Sequence, residues 1–512
     1  MSATKQQLKE SLSALHDYLS GHKHNPVIHG EDDLGMTHME RLIESGHLLP
    51  ITDNWYYVSR PERGDDPSDW YKAYWFFIAA YLDYKYGNRW TLGSDDTLLF
   101  RAGEGVIPKQ LTVRSCHAKN SILELPFGLQ LLEVWGEMPE ILEREERFGI
   151  SLFPLHWALL TASPGFYRQH PMEARTCVAM VNDTGGLALL ARTEGFRNGA
   201  VRVAGAFRSM GNQWYSDAIM HSLGFEVGTV PENPFREDIT LPYNRTAITS
   251  RIRLMWMKMR EVVLYYEELI MPTPRDLAIG EIMTMTEDVF VRDTVNSLGI
   301  DGYKVSEELA GKVQYGRWNA DTHARESEMV DACAAQGYAD AFCLVRSHLL
   351  SSLTGGCDTA EIVVRVSAWH QWLITPSFKA GVMLWGHLER PYRDAQCYVR
   401  RSRHIPVEHG DIEAALDMLQ KLMSEEPDAV VRAVLGHFFL VYIHPFMEGN
   451  GQVARFLMNC QLIAGGYAWT VIPAEKAEEY DEALEEACTR LDISKFARLV
   501  ANLVVAEVRE NP

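Results

Sequence analysis

One stretch constrains the fold of this chain more than any other. It is the apolar run ending at His444-Pro445, together with the glycine-bearing turn that follows. Val430, Val431, Val434, Leu435, Phe438, Phe439 and Val441 leave almost no polar face, so the pattern predicts a helix buried in a helical bundle. Glu425 and Glu426, just ahead of Pro427, suit its N-terminus. Pro445 disfavours helical backbone at His444, so the helix should end there. A second helix is expected after Gly451, with Val453, Phe456, Leu457, Cys460 and Ile463 or Ala464 facing the core, stopped by Gly465-Gly466.

Between the two lies His444-Pro445-Phe446-Met447-Glu448-Gly449-Asn450-Gly451-Gln452-Val453-Ala454-Arg455. A glycine-rich loop that feeds a helix N-terminus can aim several backbone N–H groups at one point, aided by the positive end of the helix dipole. That is a cradle for nucleotide phosphates. Glu448 at its lip can hold a divalent cation bridging those phosphates. Arg455, on the same helix face as Gln452, can reach a terminal phosphate. His444 is placed to take a proton from an incoming hydroxyl.

These residues resemble the signature of the Fic family, HPFx(D/E)GNGRxxR, at His444, Pro445, Phe446, Glu448, Gly449, Asn450, Gly451 and Arg455. Tyr392-Arg393, the Tyr398–Pro406 stretch and Ala468–Pro473 are similar to runs in the same family, and the likeness extends over roughly residues 290 to 500. The resemblance implies a mainly helical Fic fold with a β-hairpin flap, and transfer of AMP from ATP to a Ser, Thr or Tyr hydroxyl of a target protein. Carried over position by position, His444 is the general base and Glu448 the Mg²⁺ ligand. The Gly449, Asn450 and Gly451 loop with Gln452 holds the phosphates, Arg455 contacts the γ-phosphate, and Phe446 anchors the loop. Gln452 departs from the family, which has arginine there. Losing one charge-assisted, two-pronged contact costs about 1.5–3 kcal/mol, so slow transfer is expected.

Many Fic proteins also carry an inhibitory helix, (S/T)xxxE(G/N), whose Glu pairs with the second arginine of the motif. Ser297-Leu298-Gly299-Ile300-Asp301-Gly302 resembles it, with Asp301 in place of Glu. The missing methylene removes about 1.5 Å of reach. The expected pair with Arg455 is therefore long, water-bridged or absent, and inhibition weak. The Tyr398–Pro406 segment corresponds to the flap, whose edge pairs with the target backbone; Val399 and Ile405 suit an extended strand.

The rest of the chain is less explicit. Its 512 residues favour several domains, and 49 Lys+Arg against 69 Asp+Glu give a net charge of −20, which argues against wholesale nucleic-acid binding. Five segments are expected: a winged-helix-like module at 1–61, an α+β region of unassigned role at 62–228, and a linker at 229–246. A helical segment with the inhibitory motif follows at 247–320, then the catalytic domain at 321–512. Met39, Leu42 and Ile43 with Gly46 predict a helix and its stop, and Leu48–Ile51 and Trp55–Val58 a hairpin. This module resembles that of type IV abortive-infection antitoxins. DNA binding through it is not favoured, because Arg41 stands between Glu40 and Glu44. Arg192, Arg197, Arg202 and Arg208 are expected on a solvated face of strands, and Thr249-Ser250 as the cap of a helix from Arg251 to Ile270.

The cysteines are scattered without a CxxC pair, the N-terminus has no signal-like run, and no segment reaches the ~18 apolar residues of a membrane span. A cytoplasmic enzyme using ATP and Mg²⁺ is expected, with protein substrates, self-modification and homo-oligomer formation all compatible. The alternatives are transfer or removal of another phosphate-containing group, and an antitoxin-like regulator with a degenerate Fic site.

Overall fold

The computed structural model describes residues 5–22, 25–30, 34–145, 148–241, 246–314, 326–356, 358–382 and 390–510. Parts of two expected features lie outside them: residues 242–245 of the 229–246 linker and the 320/321 boundary. The chain divides into two units, one of residues 1–250 with 398–405, the other of 251–397 with 406–512.

The first unit opens with helix Lys5–Gly21, strand Val27–His29, helix Met36–Glu44 and strands Leu48–Thr52 and Trp55–Val58. Trp55–Val58 lies at the centre of this three-stranded sheet, antiparallel to both neighbours. The left-handed Asn54 makes the tight turn between the last two strands. Leu15, Ile28, Leu34, Met39, Leu42 and Leu48 form a small core there. Trp55 and Tyr57 instead join a larger aromatic core with Trp70, Tyr74, Trp75 and Phe77 of helix Ser68–Tyr86. A mixed four-stranded sheet follows, in which Gln110–Ser115 runs parallel to Leu129–Trp135.

Residues 155–222 are helical, so the four arginines stand on helices rather than strands. Arg197 and Arg202 donate to the carbonyls of Leu223 and Ala162. A Cβ at Gly199 would lie 2.0 Å from the Leu160 carbonyl oxygen, so this glycine admits a close approach between two of these helices.

The expected flap also departs from its sequence pattern. Tyr398–Pro406 pairs no strand with itself. His404 makes an isolated antiparallel bridge with Val106, Ile107 N–H donates to the Arg403 carbonyl at 3.0 Å, and Ile405 N–H donates to Gly105. Asp66 pairs with Arg400 at 3.0 Å, and Ser68 Oγ accepts from Arg401 N–H. Ile405 is buried in the aromatic core. Ile405 and the Arg400 guanidinium are thus engaged within the first unit.

In the second unit, helix Ala247–Ile270 begins earlier than expected, because Thr246 Oγ1 accepts from Thr249 N–H and caps it. Ser250 is consequently inside the helix and buried. Met255 and Met259 fill core, and Trp256 stacks on Phe439. Helix Ala429–Ile443 is the buried element that its composition predicts, with Val431, Leu435, Phe438 and Phe439 fully covered. Asp428, rather than Glu425 or Glu426, caps it by accepting from Val431 N–H at 2.8 Å. Helix Asn450–Ala464 packs beside it and is also almost wholly buried.

Candidate active site

The loop between these two helices is shaped by three backbone decisions. His444 closes the first helix in the left-handed conformation, φ 54° and ψ 60°, and Pro445 disfavours ordinary helical backbone there. Gly449 turns the chain at φ 79°, and a Cβ on it would meet Leu373 Cδ2 at 2.9 Å. Asn450 then closes the loop on itself: its carboxamide accepts from Phe446 N–H at 3.0 Å and donates to the Phe446 carbonyl at 2.9 Å. The next helix starts at Asn450, and Val453 N–H is bonded back to the Gly449 carbonyl. The preceding amides, of Asn450, Gly451 and Gln452, have no acceptor within the helix and form its positive end.

The lips of the loop carry His444 and Glu448. His444 Nδ1 lies 3.3 Å from the Val441 carbonyl, which can only accept, so Nδ1 carries the proton and Nε2 is the basic nitrogen. Arg393 fixes the backbone beneath it. Its Nε donates to the His444 carbonyl at 2.8 Å, its own N–H donates to the Pro445 carbonyl, and its Nη atoms donate to Ala395 and Val407. Glu448 is exposed, yet the protein around its carboxyl pushes its pKa up by desolvation. Among the described residues no three His, Cys, Asp or Glu side chains gather as a metal site. A divalent ion here would therefore take Glu448 plus phosphate oxygens, the arrangement Mg²⁺ commonly adopts, and the lone exposed carboxylate beside the amide cluster fits it.

Phe446 is buried and lies flat against His370, with ring centroids 3.8 Å apart and planes at 4°. Burial pushes the His370 imidazole down to about 4, so the ring is neutral. Its Nε2 is 3.0 Å from the Glu448 carbonyl and must donate to it.

The structure also brings Ser297 and Asp301 to the second helix. Arg455 Nε donates to Ser297 Oγ at 2.7 Å, and Nη2 donates to the Ser297 carbonyl at 2.9 Å and to Asp301 Oδ2 at 2.8 Å. The expectation of a long or missing pair is corrected. Asp301 stands at the non-helical C-cap of helix Phe290–Ile300, and the two Ser297 contacts draw the guanidinium up to that helix end. The same Asp301 oxygen accepts from Gln452 Nε2 at 2.8 Å. Gly302, at φ 90°, contributes the left-handed turn that ends the segment. Burial acts to lower the Arg455 pKa, but the Asp301 carboxylate with Tyr480 and Tyr338 together more than offset it, so the cation persists at 2 % exposure. Tyr480 lies on its other side, with its hydroxyl 3.5 Å from Arg455 Nη1 and 3.0 Å from Nε2 of the buried His437. Arg455 thus directs Nε and Nη2 to Ser297 and Asp301, with Nη1 beside Tyr480.

Three participants escaped the sequence. Arg393 lay in a run already singled out, whereas His370 and Tyr480 sit on helices with no motif of their own.

Residues 363–462 match the Fic/DOC family. Proteins similar to this chain include "Protein adenylyltransferase Fic" of Nematostella vectensis, 38% identical over 114 residues, which are 22% of this chain and 26% of that protein. The protein of the same name from Drosophila melanogaster is 34% identical over 115 residues, 22% of this chain and 23% of its own length. The chain thus spans about a quarter of the length of these relatives. A solved structure of Fic-1 (residues 134–508) from C. elegans covers 69% of this chain and 96% of its own, at 16% identity and a TM-score of 0.38. The motif, its loop geometry and the sequence match to the Fic/DOC family thus fall on one segment, within residues 363–462.

Proposed function

We propose that this protein is an adenylyltransferase that moves AMP from ATP to a hydroxyl of a protein target. The observation that supports the proposal is His444 at one lip of a loop whose other end is a cluster of helix-terminal amides, its Nδ1 turned to the Val441 carbonyl. His444 Nε2 takes the proton of the target hydroxyl, and the freed oxygen attacks the α-phosphorus of ATP. The bond between that phosphorus and the α,β-bridging oxygen breaks, and pyrophosphate leaves. The amides of Asn450, Gly451 and Gln452 bind phosphate oxygens. Glu448 would hold Mg²⁺, which supplies charge neutralisation to the phosphates when bound. Arg393 keeps His444 in place through its carbonyl. The protein names of the similar sequences support this chemistry for the matched domain.

We further read the Ser297–Asp301 segment as self-inhibitory, since it occupies Arg455 and Gln452 together. The test is incubation of the full chain and of lysate with Mg²⁺ and ATP labelled at either the α- or the γ-phosphate, beside His444→Ala. Label from the α-position alone, lost in the variant, is expected. Label from the γ-position, or equal labelling by His444→Ala, overturns the proposal.

A further inference from the structure

We propose that His370 is a positioning residue of the 446–449 turn, holding the backbone of the proposed metal ligand Glu448 through one N–H bond and one ring face. The inference rests on the function proposed above only in naming Glu448 as that ligand. Helix Val366–Lys379 presents two side chains to the turn, one helical turn apart. His370 covers Phe446 with its ring face and donates Nε2–H to the Glu448 carbonyl at 3.0 Å. Leu373 fills the space beside Gly449, where a Cβ would come within 2.9 Å of it and 3.4 Å of His370 Cδ2. Phe446, Glu448 and Gly449 are thus each touched from this helix, while Asn450 ties Phe446 from the opposite end of the loop.

The bond to the carbonyl has a directional consequence. A trans peptide is planar, with C=O and N–H pointing opposite ways. Pinning the Glu448 carbonyl onto His370 therefore turns the Gly449 N–H away from the 366–379 helix and fixes the plane from which the Glu448 side chain departs. A ligand's orientation is commonly set by such an outer contact, whose loss lowers metal affinity about 10- to 100-fold. His370 touches no reacting atom in this arrangement and offers both contacts from one helix.

Two variants separate the contacts in the full-length protein. His370→Phe keeps the ring face and loses the N–H; His370→Gln keeps a donor at the same distance from the backbone and loses the ring. The readouts are amide hydrogen exchange over residues 446–451 without ligand, the Mg²⁺ concentration that half-saturates ATP binding, and the thermal midpoint. For His370→Phe we expect exchange in the loop to rise about fivefold and the Mg²⁺ half-saturation about tenfold, with the midpoint within about 2 °C. His370→Gln should recover most of the Mg²⁺ response. Unchanged exchange and Mg²⁺ response in His370→Phe overturn the inference. So does a large fall in midpoint with exchange raised throughout the unit, which marks His370 as ordinary core. Because exchange is read without turnover, a wild-type protein that transfers nothing removes the proposed function but leaves this inference to be decided.

Discussion

Replacing Asp301 tests the closed arrangement most directly. Asp301→Ala removes the one oxygen that accepts from both Arg455 and Gln452. A hydrogen bond to a charged partner is worth about 1.5–3 kcal/mol. The Asp301 side chain is 32% exposed, so solvent screens part of that gain, whereas Arg455 is nearly covered. A net loss of about 2 kcal/mol for the closed arrangement is a fair figure, equivalent to about a 30-fold shift toward one in which Arg455 can meet a phosphate. Arg455 keeps Ser297 and Tyr480 as partners, so the domain should stay folded. The φ of −84° at position 301 suits alanine without strain. The assay is the initial rate of labelling from α-labelled ATP with Mg²⁺, together with ATP affinity. Asp301→Ala should label roughly ten to thirty times faster, and Asp301→Asn, which retains a neutral acceptor, should fall between it and wild type. If rate and ATP affinity both stay within about twofold of wild type, the contact does not restrain the site and the self-inhibitory role is wrong.

The sign of Gln452→Arg should depend on Asp301. With Asp301 present a second guanidinium binds the same carboxylate and labelling slows, whereas in Asp301→Ala the added cation meets phosphate and labelling rises about tenfold; equal effects in both backgrounds would refute the coupling. Asn450→Ala leaves the buried N–H and carbonyl of Phe446 without their partner, so the urea midpoint should fall by the equivalent of about 3 kcal/mol at unchanged m-value. Burial pushes the Asp293 carboxyl up to about 6, where it accepts from the Tyr338 hydroxyl at 2.6 Å. The unfolded chain releases that proton near 3.8, so between about pH 4 and 6 the folded state holds more protons and stability falls as pH rises. Asp293→Asn should flatten that slope in thermal midpoints measured across the window.

What the sequence could disclose followed the range of the interactions involved. The helix–loop–helix around His444 is legible because local rules decide it: an apolar run, a proline after the histidine, and glycine where φ is positive. Asp301 is legible by pattern, but its reach is not: the shorter side chain suggests a long pair, while Ser297 holds the guanidinium at the helix end. His370 could not be found, since its helix approaches the turn from about 75 residues away and its ring contact depends on packing alone. Gly199 could not be read either, since a glycine marks a close approach only when its neighbour, here the Leu160 carbonyl, is known.

The membership of residues 398–405 in the first unit bears on how this protein can be dissected. A single cut near residue 250 does not yield two self-sufficient pieces. A fragment beginning at Arg251 would carry Ile405 without its aromatic core, and Arg400 without Asp66. The complementary fragment would retain Val106 and Ile107 without the backbone they pair with. Each half is completed by covalent continuity with the other. Recombination or truncation at that point would discard eight residues that one half needs and the other encodes, so the two halves are expected to be inherited, expressed and studied as one polypeptide.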